Sequence, residues 1–195
     1  MDFLDIFKET NALLEGHFVL SSGLHSSKYL QCALALQHPD DAAQFGREIA
    51  ERVRTGNGSD RILTDIDTVA SPAIGGLIIG FATAQALDVR FIWTERENGI
   101  MTLRRGFSVK RGERIMIVED VITTGGSTRE CIAALQHLGA KVDAAASIID
   151  RSNGTADVGV QRFSLVSLDV PNYTPDDCPL CAEGIEAIKP GSRKS

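Results

Sequence analysis

The segment Arg114–Thr128 constrains the fold of this chain more than any other. Its residues Ile115–Val118 form a continuous apolar run, which is typical of a parallel strand covered on both faces. Glu119 and Asp120 follow directly, at the carboxyl end of that strand, where open α/β sheets hold their ligands. The segment therefore predicts an α/β fold with a ligand site beside two carboxylates.

A loop of glycines and hydroxyl side chains, Thr123–Thr128, comes next. Its backbone N–H groups and hydroxyls are the parts of a phosphate cradle, and its glycines let the backbone approach a ligand closely. A helix is predicted after the loop from apolar residues at helical spacing, namely Cys131, Leu135 and Leu138. Ser127 or Thr128 is its expected N-cap, and Gly139 its expected terminating residue. The cradle thus lies at the positive end of a helix dipole, which favours phosphate.

The remaining sequence predicts alternating strands and helices, the order that a parallel sheet requires. Strands are expected at 68–70, 89–93, 144–149 and, as an edge, 160–168. Helices are expected at 2–14, from Pro39 or Asp40 to about Arg54, and after a turn at 71–76. Phe18–Leu20 and Lys28–Leu30 predict a hairpin, and the tail from Pro171 is expected to be irregular. We predict a single domain covering residues 1–195.

The composition limits the partners of the chain. Its 195 residues are 43% hydrophobic and carry a formal net charge of −6 at pH 7. This acidic balance disfavours nucleic acid or an anionic membrane as the main partner, because the average field repels both. Residues 1–7 carry two acids and no long apolar core, and no stretch is long enough to span a bilayer. A cytoplasmic location is therefore expected.

The four cysteines are too few for a disulfide scaffold in a chain of this size. Cys178 and Cys181 have the spacing of a zinc or redox pair, but no histidine lies near them in the sequence to complete four ligands. A structural turn in the tail is the favoured interpretation, and a metal or redox role is the alternative. All four histidines, His17, His25, His38 and His137, are interpreted as structural or solvated, with His25 as the one that could touch a substrate.

The run Arg114–Thr128 resembles the phosphoribosyl-pyrophosphate (PRPP) motif of the type I phosphoribosyltransferases, in which four apolar residues, two acids and two apolar residues precede a Thr/Gly/Ser loop. The resemblance implies that family's fold, a central mostly parallel sheet flanked by helices, with a small N-terminal hood formed mainly within residues 1–35 and the C-terminal tail. It also implies that Glu119 and Asp120 contact the ribose hydroxyls and that Thr123–Ser127 binds the 5-phosphate. From the residues alone, the alternative is a surface acid pair before an ordinary capped helix.

Six further stretches resemble the orotate phosphoribosyltransferases, in particular their shorter form. These stretches are Phe18–Gln31, Ala70–Gly76, Thr94–Arg96, Leu103–Phe107, Asp150–Arg151 and Cys178–Lys194. By resemblance, Phe18–Gln31, which includes Tyr29, forms the hood over the pyrimidine, and Thr123 and Arg151 contact orotate. Arg151 also follows an apolar strand, so it should emerge at the sheet edge that carries the two acids. The alternative is a surface arginine paired with Asp150.

The same resemblance implies a reaction in which N1 of orotate displaces pyrophosphate from PRPP, giving orotidine 5′-monophosphate on the way to UMP. It further implies a homodimer, and Mg²⁺ held mainly by PRPP oxygens rather than by a cage of protein ligands. The expected catalytic residues are Arg104, Arg105 and Asp120. The expected PRPP-binding residues are Gly75, Arg96, Glu119, Asp120, Val121, Ile122, Thr123, Thr124, Gly125, Gly126 and Ser127.

The segment Arg96–Lys110 is predicted to be a mobile lid over pyrophosphate, because its cations lie around glycines. Compared with the longer orotate enzymes, it lacks a lysine cluster and a histidine, and Gly75 stands where they have a pyrophosphate-binding lysine. We hypothesise that Arg104 and Arg105 substitute for the lid lysines, and that the backbone at Gly75 serves in place of the other. The alternative is a charged hairpin in solvent.

Two other functions remain open on the sequence. The first is a phosphoribosyltransferase for another base, because the PRPP motif does not choose the base. The second is a regulator that senses PRPP without turnover, which would need a nucleic-acid surface that the acidic balance disfavours.

Overall fold

The computed structural model describes residues 3–20, 23–56, 63 and 65–190. The chain divides into two compact units, the first made of residues 1–35 and 169–195 and the second of residues 36–168. Position 2, the expected start of the first helix, and positions 191–194 of the tail lie outside the described residues. The single domain stays a prediction.

The elements follow one another as α1 (Phe3–Glu9), β1 (Leu13–Val19), β2 (His25–Leu30), α2 (Cys32–Leu36), α3 (Pro39–Thr55), β3 (Thr68–Pro72), α4 (Gly76–Leu87), β4 (Arg90–Glu97), β5 (Ile100–Leu103), β6 (Arg114–Ile122), α5 (Gly126–His137), β7 (Lys141–Asp150), β8 (Gln161–Ser167), β9 (Asn172–Tyr173), a 3₁₀ turn (Pro175–Asp177) and α6 (Pro179–Ala182). Within the described ranges, no helix is both long and apolar enough to cross a membrane.

The first unit is a small antiparallel sheet in the order β1-β2-β9. The predicted hairpin is confirmed, although its first strand begins at Leu13, earlier than expected. The C-terminal segment returns to this sheet, where the backbone N–H of Val19 donates to the carbonyl of Ile188 at 2.8 Å and the N–H of Ile188 donates to His17. The two ends of the chain therefore build one unit.

The predicted helix at 2–14 is wrong beyond Glu9. Thr10 turns its hydroxyl onto the carbonyl of Ile6, and Asn11 adopts a positive φ of 55°, which ends the helix. Leu13 and Leu14 then pair with Leu30 and Tyr29 in the sheet. Their apolar spacing fits either structure, and the strand partner decides between them.

The tail from Pro171 is more regular than predicted. Asn172 and Tyr173 pair with Ser26 and His25 as β9, and a 3₁₀ turn and α6 follow. These partners are far away in the sequence, so a local pattern gives no sign of them.

The second unit is built on a six-stranded sheet in the order β5-β4-β3-β6-β7-β8. All neighbouring strands are parallel except β4 and β5, which form an antiparallel hairpin. The strands predicted near 68–70, 89–93, 115–118, 144–149 and 160–168 are all confirmed. The helix predicted from Pro39 is confirmed as α3, whereas the short α2 was not predicted.

Helices cover the sheet. Ile115 and Ile117 of β6 belong to one buried cluster with Cys131, Ile132 and Leu135 of α5. On α3, a Cβ at Gly46 would lie 2.5 Å from the carbonyl carbon of Ala82 in α4, so only glycine lets these two helices pack so closely. This packing fixes α4 and α5, whose first turns lie beside the predicted site.

Candidate active site

The site lies where the strand order of the larger sheet reverses. β3 pairs with β4 on one side and with β6 on the other, and all three run parallel. The loops after β3 and β6 therefore leave their strands in opposite directions, which opens a crevice between them at the carboxyl ends. The crevice receives the two acids that end the apolar run of β6.

Both acids sit in surroundings that disfavour their charge. Glu119 is only 7% exposed, and its burial, together with the charge of Asp120, raises its pKa to about 9. Burial also raises the pKa of Asp120, although the backbone N–H of Val121 donates to its Oδ1 at 2.9 Å. The pair is thus suited to a ligand that brings cations or hydroxyl donors to these carboxylates.

Two glycines at the start of α4 make room for the acids. A Cβ at Gly75 would lie 2.7 Å from Oδ1 of Asp120, and a Cβ at Gly76 would lie 2.8 Å from the carbonyl oxygen of Val118. No side chain fits at either position without movement of the acids or of β6. The backbone of the loop after β3 can therefore come close to the acid pair.

The loop after β6 leads directly into α5, and its cap differs from the prediction. The helix begins at Gly126, and Gly125 is the N-cap residue, without a side-chain cap. Gly125 has a φ of 74°, and a Cβ there would lie 2.6 Å from Cγ1 of Val158, so both backbone and space demand glycine. Capping by Ser127 or Thr128 is therefore wrong. Without a cap, the first N–H groups of α5 remain available to an anion.

Arg129 supports this loop, a role that the sequence did not reveal. Its Nη1 donates to the carbonyl of Thr124 at 2.8 Å and to the carbonyl of Asp157 at 2.6 Å. A cation that engages loop carbonyls leaves the opposite dipole ends, the N–H groups, for a ligand. The one sequence signal for this supporting role is the position of Arg129, an arginine near the start of a helix that follows a Gly-rich loop.

A cavity of about 220 Å³ occupies the crevice. It is lined by Arg96, Glu119, Val121, Ile122, Thr123, Thr124, Gly125, Gly126, Ser127, Thr128 and Glu130. Most of the predicted PRPP-binding residues therefore come together, while Gly75 and Asp120 lie beside the cavity rather than in its lining. Glu130 is an addition that the motif did not include, and Thr128, which belongs to the predicted cradle, joins the predicted PRPP-binding residues in the lining.

Arg96 is held at the edge of the cavity by two contacts. Its Nη2 lies 2.6 Å from Oε2 of Glu130 on α5, and its Nη1 donates to the carbonyl of Gly99 at 2.9 Å. A guanidinium at the cavity that also contains Glu119 offsets part of the negative charge there. It is the cation that the described residues contribute to the cavity lining.

The two arginines predicted as catalytic are elsewhere in this structure. Arg104 lies 3.1 Å from Glu97, and Nη2 of Arg105 donates to Glu95 at 3.1 Å, all on the exposed β4–β5 hairpin or just after it. The hydrogen bond from Arg105 lowers the pKa of Glu95 to about 2. Among the described residues, neither arginine lines the cavity. The hairpin geometry agrees with the alternative interpretation, and the lid stays a prediction.

Three residues were predicted to bind orotate. Thr123 lines the cavity. Arg151 follows β7 directly, and its backbone N–H donates to the carbonyl of Ile122 at 2.8 Å, so its main chain is at the expected sheet edge. Asp150 accepts hydrogen bonds from Ser152, Gly154 and Arg162. Tyr29 belongs to β2 in the other unit, where its ring lies 5.8 Å from that of Phe18.

Comparison with known proteins agrees with this geometry. Residues 37–170 match the model of the phosphoribosyl transferase domain. The chain is 51% identical over 193 residues to the orotate phosphoribosyltransferase of Pelotomaculum thermopropionicum, covering 99% of this chain and 97% of that protein. It is 50% identical over 189 residues to the orotate phosphoribosyltransferase of Thermotoga maritima, covering 97% of each. The crystal structure of the orotate phosphoribosyltransferase from Aeropyrum pernix superposes with a TM-score of 0.64 at 26% identity, over 84% of this chain and 92% of that one.

Proposed function

The chain belongs to the orotate phosphoribosyltransferases and has the type I phosphoribosyltransferase fold, and from that premise we propose how its residues divide the work of the reaction. The reaction is a pentosyl transfer in which N1 of orotate replaces pyrophosphate at C1 of PRPP, giving orotidine 5′-monophosphate. The observation that carries the proposal is the cavity between Glu119 and the uncapped start of α5. It offers an anion cradle and a carboxylate within one crevice, as a ribose phosphate requires.

The loop Thr123–Ser127 binds the 5-phosphate of PRPP. Its support is the open N-terminus of α5, whose partial positive charge and free N–H groups suit a phosphate dianion. Arg129 positions the loop by holding the carbonyl of Thr124.

Glu119 and Asp120 bind the ribose hydroxyls. Hydroxyl donors satisfy the carboxylate oxygens, and positive charge that develops on the ribose ring as pyrophosphate departs is stabilised by two anions placed beside it. Burial raises the pKa of both acids in the free protein, so ligand binding must favour their ionised forms. The charge that is unfavourable in the empty crevice thus becomes favourable in the transition state.

Mg²⁺ fits this site as an ion carried by the substrate. Within the described ranges, no three His, Cys, Asp or Glu side chains converge at the cavity to form a cage. When bound to PRPP oxygens and water, the ion offsets charge on the departing pyrophosphate. The protein's own contribution is to position the ribose phosphate.

The pyrophosphate is held by Arg96, by the backbone at Gly75, and by Arg104 and Arg105 after movement of the β4–β5 hairpin. Arg96 lies at the cavity, and the lack of a Cβ at Gly75 lets the main chain approach the acid pair. Arg104 and Arg105 must exchange their ion pairs with Glu95 and Glu97 for the ligand. The pair of Arg104 with Glu97 is exposed and therefore contributes little free energy, whereas Glu95 is only 17% exposed and its pair with Arg105 is the stronger one to break.

Orotate is recognised by Thr123 and Arg151, with Tyr29 as part of the hood. A planar guanidinium suits the carboxylate of orotate, which adenine, hypoxanthine and uracil lack. The position of Arg151 beside the end of β6 supports this assignment.

The assembly is a homodimer. α4 is apolar on nearly every side, which is typical of a helix covered all round, yet Ile74 before it and Ile78 and Phe81 on it are 83%, 46% and 60% exposed in one chain. A second copy of this chain would cover that surface.

We place the enzyme in the cytoplasm, where thiols stay reduced, since none of the described cysteines forms a disulfide.

The test is an assay of the purified protein with PRPP, Mg²⁺ and one base at a time. Loss of orotate absorbance is expected, with no product from adenine, hypoxanthine or uracil. Arg151→Ala should raise the KM for orotate about tenfold or more, while the surface variant Arg54→Ala stays near wild type. Turnover of another base in place of orotate, or PRPP binding without turnover of any base, would contradict the proposal.

A further inference from the structure

Four side chains of the first unit form a cluster that the transfer reaction does not use. His17 of β1 and His25 of β2 meet Cys178 and Cys181 of the C-terminal segment, with one donor atom from each residue within 4.8 Å of all the others. His17, His25 and Cys178 are 2%, 8% and 3% exposed, while Cys181 reaches the surface. Two thiols and two imidazoles converge here from sites far apart in the sequence.

Three sulfur–nitrogen distances in the cluster match those around a tetrahedral ion. Sγ of Cys178 lies 3.5 Å from Nε2 of His17, and Sγ of Cys181 lies 3.7 Å from the same nitrogen and 3.3 Å from Nδ1 of His25. Zinc bonds of ~2.3 Å to sulfur and ~2.0–2.1 Å to nitrogen put such S···N pairs ~3.5 Å apart. The two nitrogens are 2.8 Å apart and would separate by about 0.5 Å around an ion.

A contact outside the cluster prepares His17 to be a ligand. Its Nδ1 lies 2.7 Å from the carbonyl oxygen of Ile185, which can only accept a hydrogen bond, so Nδ1 carries the proton. The lone pair is then on Nε2, the atom that faces both thiols and His25. Metal-binding histidines are oriented by this kind of hydrogen bond.

We propose that His17, His25, Cys178 and Cys181 bind one Zn²⁺ as a structural site. Two sulfur and two nitrogen ligands in tetrahedral arrangement favour zinc among the common ions. Four protein ligands leave no open position for a substrate, so the ion stabilises the unit and takes no part in the chemistry. No histidine is near the Cys178–Cys181 pair in the sequence, but the fold brings His17 and His25 to it.

The site connects three segments of the unit that are far apart in the sequence. β1 and β2 supply one ligand each, and the C-terminal segment supplies two. Among the described residues, two backbone hydrogen bonds join Ile188 to β1, and the two-residue strand β9 pairs with β2. The buried apolar core of this unit is small, with Phe7 and Phe18 as its largest buried members. Small units of this kind commonly depend on a metal or disulfide for stability.

The first test measures zinc in protein purified under reducing conditions without chelators. About one zinc per chain is expected, and Cys178→Ser and Cys181→Ser should each lose most of it. Cys32→Ala, a cysteine of the same unit outside the cluster, and His38→Asn, an exposed histidine, are matched controls that should retain it. Removal of zinc from the wild type should lower Tm by about 5 °C or more.

A second measurement needs no variant and so does not depend on how the variants fold. X-ray absorption of the wild-type zinc protein should show two sulfur and two nitrogen neighbours, and Co²⁺ exchanged for zinc should show the visible bands of a tetrahedral thiolate site. Three results would overturn the proposal: zinc far below one per chain with no tetrahedral Co²⁺ spectrum, equal zinc in Cys181→Ser and wild type, or a Cys178–Cys181 disulfide in freshly trapped protein.

Discussion

At the scale of single residues, Glu119 brings stability and function into conflict. The folded protein holds its carboxyl in a buried crevice beside Asp120, which raises its pKa from 4.5 to about 9. The unfolded chain would release that proton near the ordinary value. Between these two pH values the folded state binds the extra proton, so stability falls as pH rises through the window.

Glu119→Gln tests this conflict, because glutamine keeps the shape and cannot ionise. The variant should gain stability over wild type by on the order of 1–2 kcal/mol at pH 8, with little difference at pH 4.5, and should lose most of its transferase activity. Denaturant unfolding at both pH values measures the first effect and the orotate assay the second. Glu48→Gln, at an exposed position of α3, is the control. A stability gain that is the same at both pH values would refute the assignment.

Arg129 is a positioning residue, since it does not line the cavity itself but holds the carbonyl of Thr124, which does. Arg129→Ala should raise the KM for PRPP about tenfold and change kcat much less, because the phosphate cradle loses its support before the ligand binds. Steady-state kinetics separate the two parameters, and Arg54→Ala, another exposed arginine that donates to a backbone carbonyl, is the control. A KM for PRPP within about twofold of wild type would remove this role.

At the scale of elements, the β4–β5 hairpin and the residues after it show the largest difference between the proposed role and the observed position. Arg104 and Arg105 pair with Glu97 and Glu95 on the exposed hairpin, whereas their role needs them at pyrophosphate. The proposed movement therefore requires these ion pairs to break, and the pair that involves the half-buried Glu95 opposes it more than the exposed pair with Glu97.

Arg104→Ala and Arg105→Ala should each lower kcat by about a hundredfold, as expected when a cation that neutralises a departing anion is removed. Arg111→Ala, just beyond the segment, should stay near wild type. Measured kcat and KM for all three variants decide the matter. Near-wild-type activity in both lid variants would exclude a catalytic role for the lid.

At the scale of the whole molecule, the surface of α4 decides the proposed assembly. Phe81 is 60% exposed, and its ring meets that of Phe91 at 6.1 Å, so it presents an aromatic surface to its surroundings. Phe81→Glu should convert a dimer into a monomer, because a buried unpaired carboxylate opposes association. Light scattering after size exclusion measures the mass. Leu138→Glu, at the exposed leucine that directly follows α5, should remain dimeric. A dimeric Phe81→Glu, or a monomeric wild type, would contradict the prediction.

The sequence by itself determined β6, the acid pair and the glycine loop, because a buried parallel strand, a strand end and an anion cradle each depend on residues close together in the chain. It also determined the alternation that makes a parallel sheet. Local sequence patterns predicted the ends of helices and strands less accurately. The cap of α5 is Gly125 rather than a hydroxyl, since backbone conformation and the side chain of Val158 demand glycine there.

Only the tertiary structure decided which distant residues meet. Leu13 and Leu14 lie in a strand because they pair with Leu30 and Tyr29. Arg129 donates a hydrogen bond to the carbonyl of Asp157, a contact between distant residues that no periodic pattern predicts. Above all, His17 and His25 lie next to Cys178 and Cys181 because the N-terminal strands β1 and β2 form one sheet with β9 of the C-terminal segment. Ligand sets of this kind depend on distances in space, and a sequence records only distances along the chain.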